Sequence, residues 1–168
     1  MNAKEMIMKR STIAKTFTIA AVTALALGIA PAAKAQTCSM LTLNGTFAYK
    51  GTGTIVSPAA IAGPLDEVGT LTFNGNGVVT GAGVLNQGGT ATPVTKTGTY
   101  TVNSDCTGSY TVNYSLGFAS QFFFVIDNIE TIGIAFVRGT ELQVLCEDAG
   151  VVLDGIARKQ FTADSLRP

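Results

Sequence analysis

The chain has 168 residues, with eleven Lys/Arg against eleven Asp/Glu and neither histidine nor tryptophan. The commonest general base and metal ligand is therefore missing, so Ser-His-Asp, Cys-His and His-based zinc chemistry cannot be assembled. From residue 36 onward six basic residues face ten acidic ones, a balance of −4, and that argues against nucleic acid or an anionic membrane as a partner.

At the N-terminus Lys4, Lys9, Arg10 and Lys15 lead into an uncharged run over 17–30, and Ala33-Lys34-Ala35 places small residues where a signal peptidase needs them. This is the layout of a secretory signal-peptide helix with cleavage after Ala35. The run is fourteen residues long, short of the roughly 20 that span a bilayer. Lipidation at Cys38 is disfavoured because Thr37, not a small Gly, Ala or Ser, precedes it. The organisation read here is a signal peptide over 1–35 and one domain over 36–168, secreted or periplasmic, with no stable membrane anchor after cleavage.

The remainder is rich in Thr, Val, Gly, Phe and Tyr, and strands are predicted over 46–55, 69–74, 78–85, 94–103, 109–115, 121–127, 130–137, 141–147 and 151–158. Residues 57–63 form a loop of low polarity between the first two, and 81–93 is Gly/Thr/Asn-rich and expected to pair weakly at one end. Turns are placed at 74–77, 103–108, 127–128, 138–139 and 148–150. Connections this short join antiparallel neighbours, so the chain is a meander. Gly45-Thr46-Phe47, Gly69-Thr70-Leu71, Gly98-Thr99-Tyr100 and Gly108-Ser109-Tyr110 open strands with one shared phrase. A meander of near-equal strands loses its edges by joining first to last. The predicted fold is an all-β, antiparallel up-and-down barrel of about eight strands, with a Greek-key sandwich as the alternative.

Alternation assigns the inner face. Tyr100 and Val102 share one parity, as do Tyr110, Val112 and Tyr114, and then Leu142, Val144 and Cys146. The stretches 122–126 (Phe122, Phe123, Phe124, Val125, Ile126) and 132–137 are apolar on both faces, which suits either cover by an outer flap or contact with a second copy of the chain. The cysteines are 38, 106 and 146. An odd number allows at most one internal bridge, and export favours its persistence. Cys106 sits in a polar reversal, Asn103 to Gly108, poorly placed for packing but able to tether Cys38 near the start of the domain. Gly108 supplies backbone freedom as the next strand begins. Cys38–Cys106 is the preferred disulfide, with Cys146 an inward free thiol; pairings through Cys146 are the alternatives.

The order Cys38-Ser39, Leu43-Asn44-Gly45-Thr46-Phe47, Val68-Gly69-Thr70-Leu71-Thr72-Phe73-Asn74-Gly75-Asn76-Gly77, Gly98-Thr99-Tyr100-Thr101-Val102, Asp105-Cys106-Thr107-Gly108 and Glu141-Leu142 resembles a group of secreted bacterial proteins of unassigned function. Their barrel is similar to that of allene oxide cyclase, within the calycin-like set. The resemblance spans almost all of 36–168, with the Asp-Cys-Thr-Gly turn its most specific part. It implies an up-and-down barrel with an apolar interior. It carries no catalytic residue onto this chain.

The carboxylates at Asp66-Glu67, Asp127/Glu130 and Glu147-Asp148 read as solvated turn residues rather than a calcium site or a glycosidase pair. The glycines of 75–77 and 81–83 read as tight-turn residues, since no helix follows them to receive a phosphate. Tyr49, Tyr100, Tyr110 and Tyr114 are the candidate ligand-binding residues, each an apolar body with a polar tip. The function read from these features is binding of a small apolar ligand inside the barrel, with no metal, no cofactor and no catalytic constellation expected. Two alternatives stand beside it. One is a filled barrel acting as an extracellular interaction module, able to form a homo-oligomer through the 122–126 face. The other is a cyclase- or isomerase-like enzyme that acts by shaping its substrate.

Overall fold

The computed structural model describes residues 37–132 and 136–161. The signal-peptide expectation over 1–35 lies outside the described residues. Eight strands follow one another: β1 (Gly45–Ile55), β2 (Gly63–Phe73), β3 (Val78–Gln87), β4 (Thr90–Val102), β5 (Thr107–Tyr114), β6 (Ala119–Ile132), β7 (Phe136–Cys146) and β8 (Val151–Lys159). Each pairs antiparallel with the next, and β1 also pairs with β8 from Phe47↔Lys159 to Ile55↔Val151. The sheet is a closed barrel, as the meander predicts.

Alternation builds the interior. Leu65, Leu71 and Phe73 of β2, Val94 and Tyr100 of β4, and Phe122, Phe124 and Ile126 of β6 are all buried. Outward positions are largely polar: Thr97, Thr99 and Thr101 stand opposite Asn113, Thr111 and Ser109. One half of the interior is solid with aromatic rings. Phe73 meets Phe47 edge-on at 5.5 Å and Tyr100 at 5.0 Å, and Tyr110 stacks on Phe122 at 4.7 Å. That end is closed by the short 3-10 turn Met40–Leu43, whose Thr42 and Leu43 are buried.

Several boundaries depart from expectation. The turns expected at 127–128 and 138–139 are absent: both sites lie within strands, paired across a register irregularity at Ile126/Asn128. Two short apolar runs thus become one long hairpin, because cross-strand pairing continues through an Asp-Asn pair that local turn propensity would have used to stop it. β2 starts at Gly63, so Asp66 and Glu67 are strand residues, not turn residues. The stretch 81–93 pairs on both sides of a two-residue turn at Gly88-Gly89, Leu65 to Phe73 with Gln87 to Val79 on one side and β3 with β4 up to Gln87↔Thr90 on the other. Gly81 and Gly83 are mid-strand, not turn glycines. Of the doubly apolar stretches, Phe122, Phe124 and Ile126 are buried, while Phe123 and Val125 lie on the outer wall with Leu145.

The reversal after β4 explains its cysteine. Cys106 donates its N–H to the Asn103 carbonyl at 3.1 Å, and Asn103 donates to the Thr107 carbonyl at 2.8 Å. Asp105 Oδ1 accepts from the Thr107 N–H and hydroxyl at 3.1 and 2.7 Å. Cys106 itself takes the left-handed conformation, φ +68°, and Gly108, expected to supply backbone freedom, does not. Glycine at 108 serves close approach instead: a Cβ there would lie 2.3 Å from the Phe124 ring and from the Thr101 carbonyl oxygen. Cys106 is bonded to Cys38, with Cα atoms 5.0 Å apart, and Cys38 donates its N–H to the Ser104 carbonyl at 3.3 Å. The bridge holds the closing turn Met40–Leu43 against the barrel end, where the Tyr100 hydroxyl donates to the Met40 carbonyl at 3.0 Å.

The disulfide closes a loop of 68 residues, worth about 4 kcal/mol in the chain-entropy description. Replacing both cysteines by serine is expected to lower the unfolding free energy by up to that amount. Urea denaturation read by far-ultraviolet circular dichroism checks it, and an unchanged midpoint would refute the tether.

Candidate functional site

Away from the closing turn the interior is hollow. A cavity of about 340 Å³ opens between the loops that follow β1, β5 and β7, inside the usual range for small-molecule sites. Its walls are mainly apolar, with Leu65, Leu85, Phe122 and Leu153 at depth and Ile61 and Phe118 at the mouth. Phe118 stacks on Tyr114 at 4.4 Å. Glu67 and Tyr114 form part of the cavity lining.

Behind the cavity lies a polar cluster. Lys96 Nζ stands 2.6 Å from Glu67 Oε1, and the two residues are only 3 % and 4 % exposed. The Tyr49 hydroxyl donates to Glu67 Oε1 at 2.6 Å and the Tyr114 hydroxyl to Oε2 at 3.0 Å. The Lys96 ammonium also sits over the rings of Tyr49 and Tyr114, 4.3 and 4.7 Å from their centroids, a favourable cation–π arrangement. Among the described residues no buried side-chain polar atom lacks a partner.

The register shows how the sequence assembles this cluster. Tyr49 of β1 faces Gly69 of β2, which faces Gly83 of β3. Gly81 of β3 faces Lys96 of β4, and Lys96 faces Tyr114 of β5. Glu67 and Lys96 therefore come from strands that do not pair with each other, and they meet across a β3 whose central interior positions are glycines. A Cβ at Gly69 or at Gly83 would stand 3.0 Å from the Tyr49 hydroxyl and far closer to backbone of the neighbouring strand. The glycine pair makes the recess that holds that hydroxyl. A smaller void of about 20 Å³, lined by Tyr49, Lys96 and Tyr110 among others, lies beside the cluster.

Three of the four candidate tyrosines thus gather in one region. Tyr49 and Tyr114 hold the carboxylate, and Tyr110 packs beside them against Phe122 and Phe124. Tyr100 lies apart at the closed end, its hydroxyl taken by Met40. Cys146 is a buried free thiol on the cavity wall, its pKa pushed up to about 11 by burial. No group of three or more metal-ligating side chains is found among the described residues.

Glu67 and Lys96 are the site residues that the sequence reading missed. The signal was present in parity. Glu67 alternates with Leu65, Gly69 and Leu71, and Lys96 with Val94, Gly98 and Tyr100, so both opposite charges fall on the inward face.

Neither a protein-family model nor a curated protein matches the sequence. Among solved structures the chain is similar to a de novo designed fluorescence-activating β-barrel, with a TM-score of 0.45 and 13 % identity over 71 % of this chain and 94 % of that one.

Electrostatics in the cluster follow from burial. Desolvation, with the Glu67 charge adding to it, raises the pKa values of Tyr49, Tyr110 and Tyr114 far above the ordinary tyrosine value of about 10. Desolvation lowers that of Lys96, and Glu67 opposes the shift. A tyrosinate base is therefore inaccessible near neutral pH, and the carboxylate is already engaged by three donors.

Two outcomes are expected. Glu67→Gln leaves Lys96 as an uncompensated buried charge and should destabilise the fold by about 3–5 kcal/mol, whereas Glu67→Leu with Lys96→Met should recover most of that loss. Chemical denaturation of the three proteins measures both. At high pH the folded state keeps its tyrosines protonated while the unfolded chain releases those protons above about pH 10. Their contribution to stability is thus complete below pH 10 and lost as pH rises beyond it. Tyrosinate absorbance should grow in together with loss of the β-sheet dichroism, and a separate earlier tyrosinate step for two or more of the four tyrosines would contradict this burial.

Proposed function

We propose that this protein is an exported binding barrel that holds a small, mainly apolar molecule in the open end of its interior. The observation that carries this reading is the 340 Å³ cavity with largely apolar walls and a charge-compensated floor. A filled interaction module would have no use for such a volume. Export accords with the disulfide, which persists in oxidising compartments, and with the basic and apolar stretches at the start of the chain. Kinship with the allene oxide cyclase-like barrels belongs to the same proposal. A cyclase- or isomerase-like activity is the second reading, favoured by the carboxylate and tyrosine at the cavity floor; the tyrosine and lysine protons there are already committed to Glu67, which favours binding over turnover. Self-association through Phe123, Val125 and Leu145 on the outer wall is compatible with either.

A neutral apolar dye such as Nile red should bind with an emission blue shift. Ser120→Trp, which puts an indole at the cavity wall, should weaken that binding by about tenfold or more, roughly 1.4 kcal/mol. Dye binding unaffected by the tryptophan would place it on the outer surface and defeat the proposal.

A further inference from the structure

The polar groups of the cavity specify the head group of its ligand, an inference that rests on the binding reading above. Glu67 Oε1 accepts from Tyr49 and Lys96, and Oε2 accepts from Tyr114. A carboxylate offers about four lone-pair sites, so Oε2 retains capacity for one more donor. The Tyr114 proton is spent on Glu67, which leaves its hydroxyl oxygen as an acceptor too. Around Glu67 the deep end of the cavity thus presents acceptors; the other hydroxyls in the lining, those of Ser57 and Ser120, belong to the loop after β1 and to the start of β6.

Charge narrows the choice further. The side chains lining the cavity include the carboxylates of Glu67 and Asp148 and no Lys or Arg. Lys96 does not reach the cavity: its ammonium is taken up by Glu67 and by the faces of Tyr49 and Tyr114. An anionic head would therefore meet acceptors and carboxylates with nothing to neutralise it. A cationic head at the floor would meet one negative charge that Lys96 already balances, and would be buried uncompensated there; the Asp148 carboxylate belongs to the loop after β7 at the open end. A neutral donor meets neither penalty.

We infer that the cavity is selective for an apolar alcohol, a hydrocarbon body ending in a hydroxyl that donates to Glu67 Oε2, and that it discriminates against carboxylates of the same length. The hydroxyl gains a hydrogen bond to a charged acceptor, which is stronger than a bond between neutral groups. The hydrocarbon fills the space between Leu65, Leu85 and Leu153.

The test is displacement of Nile red from the intact protein at neutral pH by four ten-carbon probes: 1-decanol, nonyl methyl ether, decanoate and decylamine. Decanol should displace the dye at a concentration about tenfold lower than each of the others, as expected for one added charge-assisted hydrogen bond. If the dye binds but decanoate or decylamine matches or beats decanol, or the ether equals it, the head-group selectivity is wrong while the binding site stands. If the dye does not bind, the binding reading fails and this inference with it.

Discussion

Hydrogen bonding of β1 to β8 turns a linear meander into a closed wall, and every other property of the interior follows from that closure. Once there is an inside, the period-two alternation of a strand becomes a rule of exclusion from water. Side chains on one parity must then find all their partners among themselves. For Phe73, Tyr100 and Phe124 this means ring packing. For Glu67 and Lys96 it means each other.

The buried pair is thus a consequence of closure and of two charged residues on inward parity. Desolvating two charges is unfavourable unless geometry and further hydrogen bonds repay it, and here two tyrosine hydroxyls and two ring faces complete the shell. The pair spans β3 because glycines there offer no side chain in the way. That local choice of residue makes room for the polar cluster behind the cavity.

The two ends of the barrel are built differently. At one, the Cys38–Cys106 bridge and the Tyr100–Met40 hydrogen bond hold a short turn over a solid aromatic core. At the other, loops leave an opening rimmed by Ile61, Phe118 and Ala149. A covalent tether at the closed end leaves the loops at the open end free of that constraint, which suits a site that a ligand must enter.

Alternation and turn chemistry in the sequence determined the antiparallel order of most strands and their inner parity, and they favoured Cys38–Cys106 without excluding Cys146, because these depend on neighbours close along the chain or on a reactive group whose partners are few. Tertiary structure alone decided where pairing would override the Asp127-Asn128 and Arg138-Gly139 turn signals, since cross-strand hydrogen bonding outweighs local propensity. It also decided that Glu67 and Lys96 share a site while Tyr100 does not. Those contacts join strands with no direct pairing, at a height along the barrel set by register and by the absence of side chains on β3. Parity said which way each residue points; only the closed wall said what it would meet there.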